Sequence, residues 1–343
     1  MPTFVTLADI RAAADRIAGI AIKTGLYRID PERLREAGVE ALPFALYVKA
    51  ENEQPIGSFK LRGAYNRIAQ LSPEELQRGV ITYSSGNHAQ GVAYAARALG
   101  SKAVIVMPEN APINKREATL ALGAEVVLVG PASSERKAKA EELSAKFGYT
   151  VIPPYDDPAI IAGQATCGLE IVEELGTVPG GLVVVSPVSG GGLLSGISTA
   201  VKLAGGPNAQ VWGAEPELAA DAKESFETKT LVEWPASSTT RTIADGLRTQ
   251  SLGALNFQHI LRFVDGIVTV AESEIQQAMR VMLAATGMMP EPSGAVTMAA
   301  ALYHYRQLPA CEAMVVVLSG GNIEPELRRE LESVASAEWR PGV

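Results

Sequence analysis

The sequence predicts an α/β protein with two three-layer α/β domains and mostly parallel sheets. Three observations carry that reading. Short apolar runs alternate with helical stretches along most of the chain, the pattern of strands joined by helical crossovers. Glycines close successive helical stretches at Gly100, Gly123 and Gly148. Runs such as Gly181-Leu182-Val183-Val184-Val185 are apolar without alternation, as strands covered on both faces are.

In chain order, residues 6–18 read as an amphipathic helix with Ile10, Ala13, Ala14 and Ile17 on one face. Residues 20–43 mix strand and helix signals and support no single assignment. Phe44-Ala45-Leu46-Tyr47-Val48-Lys49-Ala50 alternates as a strand, and Pro55 and Gly57 break it. Ser58 reads as the N-cap of a helix over 58–70 that turns Leu61, Ala64, Tyr65 and Ile68 inward. A repeated unit follows: strands at 79–83, 103–107, 125–129 and 149–152, separated by helices over 87–99, 114–122 and 133–147. Pro153-Pro154-Tyr155-Asp156-Asp157-Pro158 then punctuates the chain, so residues 79–157 form a block able to stand as a small domain. Beyond it come a helix over 158–176, strands at 181–185 and 211–215, and an irregular Thr/Ser-rich stretch over 218–245. Residues 263–270 read as a strand pair or a kinked strand. Helices over 272–285 and 294–305, a strand at 313–318 and a charged helix complete the chain.

Composition narrows the function. Of 343 residues 47% are apolar and 20% charged, which describes a globular chain and not a disordered one. The net charge is −8, with no basic run, which argues against a nucleic-acid partner. No basic leader with an apolar core starts the chain, and no apolar run reaches membrane-spanning length. The two cysteines, Cys167 and Cys311, make no disulfide framework and fit a reducing cytoplasm. No zinc-ligand spacing appears.

Four polar or glycine-rich stretches lie between strand-like and helix-like segments. In Gln54-Pro55-Ile56-Gly57-Ser58-Phe59-Lys60-Leu61-Arg62-Gly63-Ala64, Lys60 falls in the first turn of a helix. The positive end of a helix disfavours another cation, and burial does so further, so this amine should lose its proton readily and attack carbonyls. Ser189-Gly190-Gly191-Gly192 places backbone N–H groups around an anion at a helix start, a phosphate cradle. A dinucleotide loop would need a third glycine that Leu194 and Ser195 do not supply. Ser84-Ser85-Gly86-Asn87-His88 offers hydroxyls, an amide and helix-start N–H groups to a carboxylate. The fourth stretch is Ser319-Gly320-Gly321-Asn322.

Taken together, these stretches resemble the fold-type II pyridoxal-phosphate enzymes, the tryptophan synthase β-like fold, and within them the threonine/serine dehydratase and serine racemase family. The resemblance runs from about residue 5 to about residue 325. It implies a large cofactor-binding domain of residues 1–78 plus 158–343 around a small mobile domain of residues 79–157. It also implies that the C-terminal regulatory domain of the biosynthetic threonine deaminases is missing, since only a short segment follows Gly321. Lys60 would be the Schiff-base lysine, with Phe59 packed on the cofactor. Ser189, Gly190, Gly191, Gly192 and Leu193 would hold the phosphate. Asn87 would meet the ring hydroxyl, Ser319 the ring nitrogen, and Glu291, in Glu291-Pro292-Ser293-Gly294, would line the site near the ring. A serine at the ring nitrogen favours elimination over transamination. Ser84, Ser85, Gly86, Asn87 and His88 would bind substrate, with Ser85 matching the second acid/base of the racemases and His88 a structural hydrogen bonder.

Arg136 matches an arginine that can approach the substrate on closure; a surface arginine is the alternative. Ala244-Asp245-Gly246-Leu247-Arg248-Thr249-Gln250 is similar to the racemase and 3-hydroxyaspartate dehydratase branch, which directs attention to Thr249 and Arg248 for substrate choice. Glu215, Asp221 and the Ala219 carbonyl suit a hard cation, Mg²⁺ or Ca²⁺, and match the divalent site of the racemase branch; a solvated acidic loop is the alternative. The expectation is a cytoplasmic homodimer or homotetramer that takes a small amino acid. It would convert L-threonine or L-serine to 2-oxobutyrate or pyruvate and ammonia. Serine racemisation and dehydration of threo-3-hydroxyaspartate are the rival activities, and a nucleotide-binding oxidoreductase or a non-catalytic binding protein the rival classes.

Overall fold

Parallel strands that are apolar on both faces need cover on both sides, and this requirement organises the molecule. The computed structural model describes residues 4–111, 113–130 and 133–338. Its strands, in chain order, are β1 (Leu26–Arg28), β2 (Ala45–Ala50), β3 (Val80–Tyr83), β4 (Ala103–Pro108) and β5 (Glu125–Val129). They continue with β6 (Thr150–Val151), β7 (Leu182–Pro187), β8 (Ala209–Pro216), β9 (Gly266–Val270) and β10 (Ala313–Leu318). A six-stranded sheet has the order β1-β2-β10-β7-β8-β9, and a four-stranded sheet the order β5-β4-β3-β6. All neighbours pair in parallel except β1, which runs antiparallel to β2 at the edge.

The period-two burial is clear in the central strands. Leu182 and Val184 of β7 enter one core with Val315 and Val317 of β10. Val183 and Val185 enter the opposite core with Met314, Val316 and Leu318. Each such side chain contributes about 1.5–3 kcal/mol by leaving water. The smaller sheet divides the same way, Val80, Ile105 and Met107 on one face and Ile81, Val104 and Val106 on the other.

Several local expectations change. The helix expected from Ser58 runs Lys60–Ile68, and its N-cap is Phe59, with no side-chain cap. Ser58 instead forms a backbone bridge with Gly320, and the Phe59 N–H donates to the Ser319 carbonyl at 3.1 Å. Pairing with the segment that leaves β10 overrides the capping preference of serine. The unassigned stretch 20–43 holds β1 and the helix Pro31–Glu36, N-capped by Asp30. In place of a strand pair at 263–270, the helix Ala254–Phe263 is followed by β9 alone. The stretch 218–245 contains helices Asp221–Thr228 and Ala236–Thr239, and a helix Pro73–Arg78 is opened by a Ser72/Glu75 capping box.

The helix Lys60–Ile68 is anchored by buried charge. Arg62 is fully buried; it donates to Glu51 from Nε at 2.7 Å and to Glu170 from Nη1 at 2.6 Å. Lys49 completes the cluster with Glu170 at 2.6 Å. Two cations and two carboxylates balance, so the cost of dehydrating each is offset by its partners. Close backbone contact adds to the anchoring: a Cβ on Gly163 would lie 2.6 Å from the Gly63 Cα. The helix Pro158–Leu175 therefore seats directly on the helix that carries Lys60.

Candidate active site

Ligands in open parallel sheets bind beyond the carboxyl ends of the strands. The stretches singled out in the sequence follow β2, β3, β7 and β10 at such ends. Lys60 comes from the turn after β2. Its Nζ donates to the Pro154 carbonyl at 2.8 Å and lies 5.1 Å from the centre of the Phe59 ring. Burial lowers the pKa of this ammonium from 10.5 to about 8. The residue keeps partial exposure to the cleft, so the amine is dehydrated yet reachable.

The turn after β3 carries Ser84, Ser85, Gly86 and Asn87, all half-buried, with the helix Asn87–Ala98 starting there. The Gly86 N–H donates to Ser84 Oγ at 3.3 Å. Gly91, one turn into this helix, would with a Cβ come within 3.1 Å of the Lys60 carbonyl oxygen, so the helix that follows the turn packs on the Lys60 backbone. His88 is buried, with Nε2 3.1 Å from the Ile152 carbonyl. Burial, reinforced by Lys60, pushes its pKa down to about 3, so it stays neutral and acts as a structural bonder.

After β7, Ser189, Gly190, Gly191, Gly192 and Leu193 lead into the helix Gly192–Ala204, whose N-terminus has no side-chain cap. Gly191 has φ +92°, and a Cβ there would meet Asn256, Leu252 and Ile260 at about 3 Å. The Tyr155 ring fills the space where a Gly190 Cβ would stand, 2.3 Å away. An uncapped helix start lined by bare backbone fits a phosphate. Thr249 joins this cradle, its Oγ1 3.1 Å from Ser189 Oγ.

Ser319 follows β10 and is buried. Beside it, Glu291 Oε1 accepts from Asn87 Nδ2 at 2.7 Å. Burial, then the nearby Asp245, raises the Glu291 pKa to about 7, against the lowering effect of Lys115 and Asn87. Lys115, on the helix Ile113–Ala121, forms an ion pair with Asp245 across the cleft. Arg136 is half-buried on the helix Ser133–Phe147, and burial lowers its pKa. The exposed Arg248 donates from Nε to the Thr242 carbonyl at 2.9 Å.

Glu215, Asp221 and Ala219 are all buried. Glu215 Oε1 accepts from the Lys223 N–H at 2.7 Å, and Asp221 Oδ2 is buried with no hydrogen-bond partner. Burial raises the pKa of both carboxyls, that of Asp221 to about 7, and the negative charge of Asp221 raises Glu215 further. No group of three or more His, Cys, Asp or Glu side chains suited to a metal occurs among the described residues. Cys167 and Cys311 are free thiols.

Sequence reasoning missed the groups that reach the site from far along the chain: the Pro154 carbonyl, Tyr155 and Lys115. Only the proline-rich punctuation at 153–158 pointed toward the first two.

An amine whose proton is loosened by burial, an anion cradle and a neutral hydroxyl at the end of the next strand are what an enzyme needs to hold pyridoxal phosphate on one lysine. The chain belongs to the pyridoxal-phosphate dependent enzyme family, whose model matches residues 26–320. It is 37% identical to L-threo-3-hydroxyaspartate ammonia-lyase of Saccharomyces cerevisiae, over 98% of this chain and 99% of that one. It is also 37% identical to serine racemase of Schizosaccharomyces pombe, over 94% of this chain and 95% of that one. The crystal structure of a threonine deaminase from T.th. superposes with a TM-score of 0.84 at 43% identity, covering 93% of this chain and 99% of that one. The rival classes of nucleotide-binding oxidoreductase and non-catalytic binding protein are thereby set aside. No helix among the described residues is long and apolar enough to cross a membrane.

Proposed function

We propose that this protein is an ammonia-lyase that removes water and ammonia from a small β-hydroxy amino acid, L-threonine or L-serine. The observation that carries the reading is Lys60. Its amine, with a pKa lowered to about 8 by burial, comes from the segment after β2, and an anion cradle and a serine-rich turn follow β7 and β3 at the carboxyl ends of those strands. Pyridoxal phosphate, when bound, supplies the electron sink that makes the substrate α-proton acidic. Lys60 Nζ would hold the cofactor and, once released by the substrate amine, take that proton. The N–H groups of Gly190, Gly191, Gly192 and Leu193, with the Ser189 hydroxyl, would hold the phosphate, and Phe59 would pack on the ring. Asn87 would meet the ring oxygen. Ser319 would meet the ring nitrogen as a neutral group, which leaves that nitrogen without a full positive charge and favours elimination. Ser84, Ser85, Gly86, Asn87 and the backbone at His88 would bind the substrate carboxylate. Arg136 would reach the substrate when residues 79–157 close as a unit over the cleft, excluding water. Thr249 would act from the edge of the cradle.

Racemisation is the second reading. Ser85 lies on the turn leading into the helix Asn87–Ala98, which packs through Gly91 on the Lys60 backbone, and Ser85 would supply a proton to the opposite face of the α-carbon. Glu215, Asp221 and the Ala219 carbonyl would bind Mg²⁺ or Ca²⁺; the unpartnered, buried Asp221 Oδ2 supports this assignment. We place the enzyme in the cytoplasm as a homodimer or homotetramer. The test is 2-oxo acid formation by the cofactor-loaded enzyme with L-threonine, L-serine, D-serine and L-threo-3-hydroxyaspartate in separate assays. Product from L-threonine or L-serine supports the lyase. Serine epimerisation without 2-oxo acid transfers the assignment to a racemase, and turnover of 3-hydroxyaspartate alone transfers it to that dehydratase.

A further inference from the structure

Asn322 closes the fourth glycine-rich stretch and has no part in the reading above. Its side chain is half-buried between two other site segments. We propose that Asn322 and Glu291 are positioning residues that fix which way Asn87 turns its amide, so that Asn87 offers an N–H and not its carbonyl oxygen to the cofactor ring. This rests on the assignment of Asn87 to the ring oxygen.

The Ile56 carbonyl only accepts, so the Asn322 atom 2.8 Å from it is the amide nitrogen, Nδ2. The second hydrogen of Nδ2 is directed at Asn87, 2.7 Å away, and the Asn87 atom there must be the carbonyl oxygen, Oδ1. The other end of Asn87 is then its NH₂ group. One of those hydrogens goes to Glu291 Oε1 at 2.7 Å, and one is left. Turning the Asn87 amide over would set nitrogen against nitrogen at Asn322, and oxygen against oxygen at Glu291 wherever its carboxyl is ionised. The Asn322 hydrogen bond would be lost and a repulsive contact made there, with a second at the ionised Glu291.

Both partners are themselves held. Gly57 has φ +71°, and a Cβ there would lie 2.5 Å from Asn322 Oδ1, so the side chain rests on bare backbone. The Gly321 N–H donates to the Gly57 carbonyl at 3.0 Å. Glu291 is buried, and its own N–H donates to the Gly320 carbonyl at 3.1 Å. The segments after β2 and β10 and the start of the helix Pro292–Tyr303 thus converge on one amide. An anionic ring oxygen is stabilised by an N–H and repelled by a carbonyl.

The test measures pyridoxal phosphate affinity and the visible absorbance of the bound cofactor. Asn322→Asp keeps the shape but cannot donate to Ile56 or Asn87, and draws the Asn87 N–H toward itself. Affinity should fall by about tenfold, the loss of one charge-assisted hydrogen bond, with a displaced absorbance maximum. Asn87→Ala should cause a similar loss, and the Asn87→Ala/Asn322→Asp double variant should bind no more weakly than Asn87→Ala alone. Glu291→Gln, which keeps an acceptor, should retain affinity that Glu291→Ala loses. Thermal unfolding of the apoproteins identifies any variant that fails to fold, and Asn322→Ala replaces Asn322→Asp in that event. Wild-type affinity and spectrum in the Asn322 variants, or losses that multiply in the double variant, would overturn the proposal. An unchanged Asn87→Ala would instead remove the assignment of Asn87 itself, and the proposal with it.

Discussion

Replacing Lys60 with methionine should stabilise the apoprotein at neutral pH while destroying its chemistry. The ammonium has a pKa of 10.5 in the unfolded chain and about 8 in the fold, because burial penalises its charged form. A depression of that size corresponds to about 3 kcal/mol. Below pH 8 both states carry the proton, and the folded state bears the whole penalty. Between pH 8 and 10.5 the unfolded chain binds more protons, so wild-type stability rises with pH and the penalty fades. Methionine fills similar volume without charge, but it forfeits the hydrogen bond to the Pro154 carbonyl, worth about 1.5–3 kcal/mol for a charged donor. The net gain at pH 7 should therefore be small, about 0–2 kcal/mol. Its pH dependence is the discriminating quantity. Denaturant unfolding of both apoproteins from pH 7 to 10 should show the variant losing its relative advantage as pH rises through 8. Other titrating groups are common to both proteins and cancel in the difference. A difference that stays flat across this range would refute the buried amine of lowered proton affinity on which the functional reading stands.

Ser85→Ala should abolish any serine racemisation while leaving elimination from the L-substrate within a fewfold of wild type; equal loss of both activities would remove Ser85 from the second face. Gly191→Ala places a Cβ at φ +92° against Leu252, Asn256 and Ile260, so cofactor affinity should drop by at least about tenfold, read by equilibrium titration. Mg²⁺ or Ca²⁺ should raise the unfolding temperature of the wild-type protein but not of Asp221→Asn, because binding to the folded state alone stabilises it by mass action. A cation shift that survives in Asp221→Asn would place the site elsewhere.

The central strands and the loops beyond them were legible because their signals are local. Val183-Val184-Val185 reads as doubly buried without reference to any other segment, and Ser189-Gly190-Gly191-Gly192 reads as an anion cradle from its own bare backbone. The three-residue β1 was not legible, since an edge strand that short has no periodicity to detect. The Ser58 cap failed for a different reason: its backbone is claimed by Gly320, a partner invisible to any local reading. Groups joined across large separations were missed in the same way. Lys60 and the Pro154 carbonyl are 94 residues apart, and Asn322 and Asn87 are 235 apart. Arg62 was visible as part of a motif, but its burial between Glu51 and Glu170 depends on a helix more than a hundred residues away.

The most direct test of the account traps the cofactor where it is held. Borohydride reduction of the yellow, cofactor-loaded enzyme, followed by peptide mass mapping, should place a pyridoxyl group on Lys60 alone, and Lys60→Ala should carry none and turn over no substrate. A label on another lysine, or an unlabelled protein that remains active, would contradict the assignment of Lys60 and the chemistry built on it.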